Sequence, residues 1–289
     1  MKKLPVFKIV FFSVCFFILT SCGLDTFYYL YAPFTVYDPP TVTSANYDNQ
    51  TDASLAHFDF RTNDSQGDAD EIYEGTGIYY RIYNNYSSMA SDVSNLSSLS
   101  TSSNAQASAT QMLNLKYCEL GACYKKDDTT YKEISLSPFF KKNSPYASAR
   151  FCIRLTNGTG EYIACIKTIG TNNVEKFWMY NESSGAFSEF STIEDGNNAG
   201  YYLVIPMRKG GITNFDFGRK YTYGNNQNNY VVPSENDDDF KMDSSPSKEN
   251  VYYVSMYAVA VGRDEQFVEQ YSGVLHLGCV AIDSSTENN

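Results

Sequence analysis

From Val251 to Val261 the chain alternates, with Tyr252, Val254, Met256 and Ala258 on one side of an extended run, and a period of two belongs to a β-strand. Far upstream, Gly77 to Asn84 alternates in the same way and puts Ile78, Tyr80 and Ile82 on one face. Neither end can bury such a face alone, so the expectation is that the two ends pair in one domain. Leu55 to Arg61 reads as another strand, and after Gly262 the pattern resumes from Tyr271 to Ile282. A chain with 25 Tyr and 19 Phe, punctuated by Asn and Gly, is expected to be mainly β, its tyrosines half-buried on pleated surface.

The beginning of the chain constrains where that fold is held. Lys2, Lys3 and Lys8 are followed by a mostly apolar run from Ile9 to Leu19, the charged and apolar regions of an export signal. This run is shorter than the about 20 residues that span a bilayer. Its end, Leu19-Thr20-Ser21-Cys22, resembles a bacterial lipoprotein lipobox. The resemblance implies that residues 1–21 are removed as a lipoprotein signal peptide and that Cys22, carrying a diacylglycerol, becomes the first residue. It further implies a lipid-anchored protein of the bacterial cell envelope, attached to the membrane through Cys22. Residues 22–37 form a short tether. Its aromatic run, Phe27 to Tyr31, either touches the membrane interface or packs as a first strand.

Without residues 1–21, 268 residues remain, enough for between one and two domains. Loss of the three leader lysines lowers the 22 basic residues to 19, against 33 acidic ones. Such a surface repels nucleic acid and anionic headgroups, which leaves the lipid as the means of membrane attachment. Five cysteines remain besides Cys22: Cys118, Cys123, Cys152, Cys165 and Cys279. An odd number outside the cytoplasm implies a free thiol or an intermolecular bond. Cys152 and Cys165 lie on two β-like runs joined by Asn157-Gly158-Thr159-Gly160, a hairpin signal. With Gly158-Thr159 as the turn, Cys152 faces Cys165 and a disulfide is expected; with Asn157-Gly158 as the turn, the two are diagonal. In both registers Phe151, Ile153, Leu155, Tyr162, Ala164 and Ile166 share the apolar face. Cys118 and Cys123 either close a small loop or are two buried thiols.

Three features together resemble a fibronectin type III-like sandwich. Asp38-Pro39-Pro40 marks a first strand, Tyr252, Val254, Met256 and Ala258 match the pattern of the sixth, and Ser272 leads in the last. The tryptophan usual in the family's second strand is missing from Leu55 to Arg61. The resemblance implies an Ig/fibronectin III-like sandwich built from residues 38–85 and 250–283, with the residues between them as insertions. Residues 86–116 read either as a Ser-rich linker or as two short helices, with Met89, Val93, Leu96 and Ser100, then Ala105, Ala109, Met112 and Leu113, at helical spacing and a break near Ser102-Ser103-Asn104. Residues 117–223 read as an inserted β-rich region, with strands at Tyr131 to Leu136, Lys176 to Tyr180 and Tyr201 to Met207. Residues 224–249, with Pro233, Pro246 and many carboxylates, read as an exposed acidic loop.

No catalytic set emerges. His57 and His276 sit in strand-like runs, and no phosphate loop, dinucleotide fingerprint or His-Glu-x-x-His occurs. The groups Asp68/Asp70/Glu71 and Asp237/Asp238/Asp239 offer hard oxygen ligands for calcium. The stretch Asn63 to Asp70 lacks the ordered spacing and closing Glu of an EF-hand loop, and consecutive carboxylates are usually a solvated loop. Trp178 is either a sugar-stacking ring or a core residue. The expectation is therefore no cofactor, no metal and no enzymatic activity: a protein-binding or structural module with a protein partner. The alternative is a carbohydrate- or small-ligand-binding lipoprotein that uses aromatics of the inserted region.

Overall fold

The structure, a computed structural model, describes residues 29–34, 57–100, 105–126, 131–142, 149–155, 164–211, 217, 221–223, 226–229 and 233–283. The leader, Cys22, the residue 38–45 strand, the break at 101–104, Tyr162 and the Asn157 to Gly160 turn lie outside the described residues. In chain order the strands are β1 (Phe58–Arg61), β2 (Tyr73–Tyr83), β3 (Cys118–Glu119), β4 (Gly121–Lys125), β5 (Tyr131–Ile134), β6 (Phe140–Lys141), β7 (Arg150–Arg154), β8 (Cys165–Ile169), β9 (Glu175–Asn181) and β10 (Ala186–Phe190). They continue as β11 (Tyr202–Met207), β12 (Tyr221–Tyr223), β13 (Asn226–Asn229), β14 (Phe240–Lys241), β15 (Val251–Arg263), β16 (Glu269–Tyr271) and β17 (Leu275–Asp283). Helices occupy Tyr86–Ser100, Ala105–Asn114 and Ile193–Asn198.

The chain is mainly β, with two curled antiparallel sheets, each a half-barrel, and few short helices. The first sheet runs β1-β7-β8-β9-β11-β4-β5, with β10 also on β9. The second is built on β2 and β15, paired antiparallel from Tyr253 opposite Tyr83 to Gly262 opposite Tyr73. The two ends of the chain therefore do meet. On its other side β15 carries β17 and, further along, β16, while β2 is flanked by the short pieces β6, β3 and β14. Of these pairings only β14 with β2 is parallel. Gly262 ends the apolar run of β15 for a steric reason: a Cβ there would lie 2.4 Å from the carbonyl oxygen of Ile72.

The alternation decides the layers. Ile78, Tyr80 and Ile82 of β2, with Val254, Met256 and Ala258 of β15, face the first sheet. Tyr79, Tyr83, Tyr253, Tyr257 and Val259 point the other way, and Met89, Leu96, Ala109 and Met112 from the two longer helices cover them. β15 is thus buried on both faces, as a near-continuous apolar strand requires. Two of its three tyrosines are core residues, Tyr253 and Tyr257 being 0% and 1% exposed, while Tyr252 is half-buried.

β1 lies in the first sheet, paired with β7, and not beside β2. Phe58 and Phe60 of β1, Phe151 and Ile153 of β7, Ile166 of β8 and Trp178 of β9 form one cluster with Ile78, Tyr80, Val254, Met256 and Val280 of the second sheet. The residue 117–223 region therefore shares its core with the terminal segments, and the two interleave, since β1 lies in the first sheet and β3 and β6 in the second.

Two expectations need correction. In the β7–β8 ladder Cys152 pairs with Lys167, and Arg154 with Cys165, a register different from both turn-based alternatives. Parity survives, so Phe151, Ile153, Leu155 and Ile166 are buried together, while Ala164 packs instead with Cys123, Ile205 and Met207. The cysteines sit diagonally, beyond the Cβ separation a disulfide needs, and both are free thiols, as are Cys118, Cys123 and Cys279. The second correction concerns the acidic loop. Asp237 and Asp239 are 3% and 0% exposed and only Asp238 between them faces solvent, because a buried arginine draws them inward.

Candidate functional site

That arginine is Arg208, directly after β11, and it is 1% exposed. A charge without water must be paired and hydrogen-bonded, and the fold supplies both. The guanidinium donates from Nε and Nη2 to the two oxygens of Asp239, at 2.8 and 2.6 Å, and from Nη2 to Asp237 Oδ2 at 2.7 Å. Asp237 also accepts the backbone N–H of Ser234 at 3.0 Å. From β2, the Tyr80 hydroxyl donates to Asp239 Oδ2 at 2.5 Å and accepts the backbone N–H groups of Lys209 and Gly210. Burial, reinforced by the Asp239 charge, pushes the Tyr80 phenol well above its ordinary range. It therefore stays an O–H donor. Gly210 is required by close approach, since a Cβ there would lie 2.5 Å from the Asp239 Cβ. The cluster clamps three segments distant in sequence: β2, the end of β11 and the entry to β14. Both of its carboxylates are engaged by Arg208.

A second polar chain runs behind the other face of β15. Lys241 donates to Asp92 at 2.8 Å, and the single proton of the Tyr83 hydroxyl is shared between Asp92 and the Tyr117 hydroxyl, each 3.1 Å away. Tyr117 then donates to Ser255 at 3.3 Å. His276 Nε2 lies 3.3 Å from Ser255 Oγ and 3.6 Å from Cys279 Sγ. Two nucleophile types beside an imidazole is the arrangement hydrolysis would want. Here Ser255 is 0% and Cys279 6% exposed, and burial pushes the Cys279 thiol up to about 12. Burial also drops His276 to about 4. A neutral, half-buried imidazole thus packs against a protonated thiol and a buried hydroxyl on the paired strands β15 and β17.

The other sequence candidates are dispersed. Asp70 pairs with Lys142 at 3.0 Å, and Asp64 accepts from the Tyr73 hydroxyl at 2.7 Å. Among the described residues no group of three His, Cys, Asp or Glu side chains is placed to hold a metal ion. Trp178 is buried and stacked on Phe187, with ring centroids 4.2 Å apart and planes 11° apart. From Phe187 a strip of rings continues through Tyr180 and Tyr124 to Tyr202, at centroid spacings of 5.1, 5.4 and 5.3 Å. Glu182 lies near the strip. Hydrogen bonds from Lys132, then Lys126 and Tyr124, bring its carboxyl down to about 2. Separately, a groove of about 320 Å³ opens between β14 and the start of β15, lined by Phe240, Met242, Val251 and Tyr252 with Glu235 and Lys248.

Sequence reasoning missed Arg208, because a lone arginine after a strand carries no signal of its own. The one available hint was Asp237 and Asp239 at a spacing of two, which puts both on one face of an extended segment. No family model, no curated protein and no solved structure matches the chain.

Proposed function

We propose that the chain is a lipid-anchored lipoprotein of the bacterial envelope, held by a diacylglycerol on Cys22, whose body is a non-enzymatic protein-binding or structural module. The observation that carries this reading is how soon the fold begins. Leu30, only eight residues after Cys22, is 5% exposed and packs on Ala69, Ile72, Tyr73 and Ala260. The body would therefore stand directly on its anchor. The non-enzymatic part is supported by the sealing of the reactive side chains, with Ser255, Cys279 and Arg208 all packed away from solvent. Kinship with an Ig/fibronectin III-like sandwich is supported by the neighbours of β15. In such sandwiches the third, sixth and last strands share one sheet and the second lies in the facing sheet, which is the distribution of β2, β15, β17 and β1.

The experiment is incorporation of labelled fatty acid in cells expressing the protein or Cys22→Ser. Label on the first and none on the second supports the anchor, and equal labelling overturns it. The aromatic strip from Phe187 to Tyr202 favours a second reading, carbohydrate binding, because sugar rings stack on such side chains. Enhancement or quenching of Trp178 emission by glycans, lost in Phe187→Ala, would support that alternative.

A further inference from the structure

We propose that the end of the molecule bearing the turn Asp264 to Val268 rests on the lipid bilayer, with Phe267 and Val268 entering the layer between headgroups and acyl chains; this rests on the lipid-anchored reading. The turn closes the β15–β16 hairpin beyond the pair Arg263 and Glu269. Its shape is fixed by one side chain. Asp264 Oδ1 accepts the N–H groups of Gln266 and Val268 at 3.0 and 2.8 Å, its Oδ2 accepts from the Gln270 side chain at 2.8 Å, and its carbonyl accepts the N–H of Phe267 at 2.9 Å. Within this frame Phe267 has φ 62°, in the left-handed region that disfavours a bulky side chain. No packing against the protein offsets that strain, since Phe267 is 83% exposed and Val268 beside it 55%.

The first described residues of the chain lie at the same end. The Arg263 N–H donates to the carbonyl of Ile72 at 2.9 Å, and Ile72 packs on Leu30. Gln66 fixes the next residue by accepting from the Tyr31 N–H at 2.7 Å and donating to the Tyr31 carbonyl at 3.1 Å. The side chains of Tyr29 and Tyr31 are 66% and 57% exposed. Singly exposed apolar residues are ordinary, but a group of them at one end marks a contact surface. Tyrosine and phenylalanine suit the membrane interface in particular. Seven residue steps separate Cys22 from Tyr29, a reach of at most about 25 Å when fully extended. Acylation at Cys22 would thus hold this end, rather than another face, against the lipid. Glu265 and Glu269 flank the tip in the chain and are exposed, with Arg263 paired to Glu269 at 3.6 Å; with Asp264 the turn carries a net negative charge, so anionic headgroups would oppose the contact. The surface therefore fits a zwitterionic bilayer, through apolar contact that added salt does not weaken.

The test uses the full lipidated protein in phosphatidylcholine vesicles, with Phe267→Trp as a probe. Wild-type protein contains one tryptophan, Trp178, which is 3% exposed in the shared core and serves as the control. Emission added by Phe267→Trp should lie at short wavelength and be quenched by brominated acyl chains, in high salt as in low, while wild-type emission stays unchanged. If the lipidated variant floats with the vesicles and its added emission is solvent-like and unquenched, the docking proposal is overturned and the anchor stands. Absence of a diacylglycerol on the N-terminal peptide overturns the anchor and the proposal together. A blue shift that needs no lipid and grows with protein concentration assigns the tip to a second copy of the chain, and also overturns it.

Discussion

Replacing Arg208 by methionine should be among the most damaging single changes to this fold. The side chain is buried and makes three charge-assisted hydrogen bonds, two to Asp239 and one to Asp237. Methionine fills similar space but leaves two carboxylates in the interior without their guanidinium, although the Tyr80 hydroxyl still donates to Asp239 and the Ser234 N–H to Asp237. Removing one partner of a buried ion pair costs about 3–5 kcal/mol, a large part of the roughly 5–15 kcal/mol that holds a domain folded. Tyr80→Phe removes one bond to a charged group and the acceptor of the Lys209 and Gly210 N–H groups, and should cost at least about 1.5–3 kcal/mol. Asp238→Asn, on the exposed side of the same segment, should stay within about 0.5 kcal/mol. Urea unfolding followed by Trp178 emission reads the shared core directly. Combining Arg208→Met with Asp237→Asn and Asp239→Asn should recover part of the loss, because no bare charge then remains inside. A loss below about 1 kcal/mol for Arg208→Met, comparable with an ordinary surface change, would mean that the carboxylates are hydrated and the reasoning is wrong.

Acid sensitivity should come partly from His276. Burial favours its neutral form in the folded state, near a pKa of 4 against the ordinary 6.5, so its contribution is complete above pH 6.5 and is lost as pH falls from there through 4. The amount is on the order of 2–3 kcal/mol, and His276→Gln should be less destabilised than wild type over that interval; parallel pH profiles would refute the assignment. Cys152 and Cys165 should be recovered as separately alkylated peptides after denaturation in a thiol-blocking reagent, and a linked pair would contradict the β7–β8 register. Deleting residues 250–289 removes β15 and its ladder with β2, so residues 57–100 should become protease-sensitive; persistent resistance would show that the ends are independent.

The pairing of β2 with β15 was legible because both strands alternate strongly and each needs a cover. Helical spacing was equally informative: Met89, Leu96, Ala109 and Met112 are the side chains that pack on the sheet. What the pattern could not carry was the assignment of strands to sheets. Phe58 and Phe60 point into the core whichever sheet holds them, so parity alone does not reveal that β1 pairs with β7. The cysteine register failed for a related reason: a shift of two residues keeps every side chain on its face and leaves no trace in the pattern. The Arg208 cluster was illegible because its parts come from residues 80, 208, 237 and 239, and only the folded chain brings them together. Composition misled there, since an acidic run is normally solvated and this one supplies the counter-charges of a buried arginine.

The anchor on which the functional account depends can be measured directly by mass spectrometry of the mature N-terminus, using protein extracted from native membranes. The account predicts a first peptide that begins at Cys22 and carries the mass of a diacylglycerol, converted by mild alkaline hydrolysis of its ester-linked chains to a peptide that keeps a thioether-linked glyceryl group on Cys22. A mature chain that begins elsewhere, or an unmodified Cys22 thiol, would contradict it.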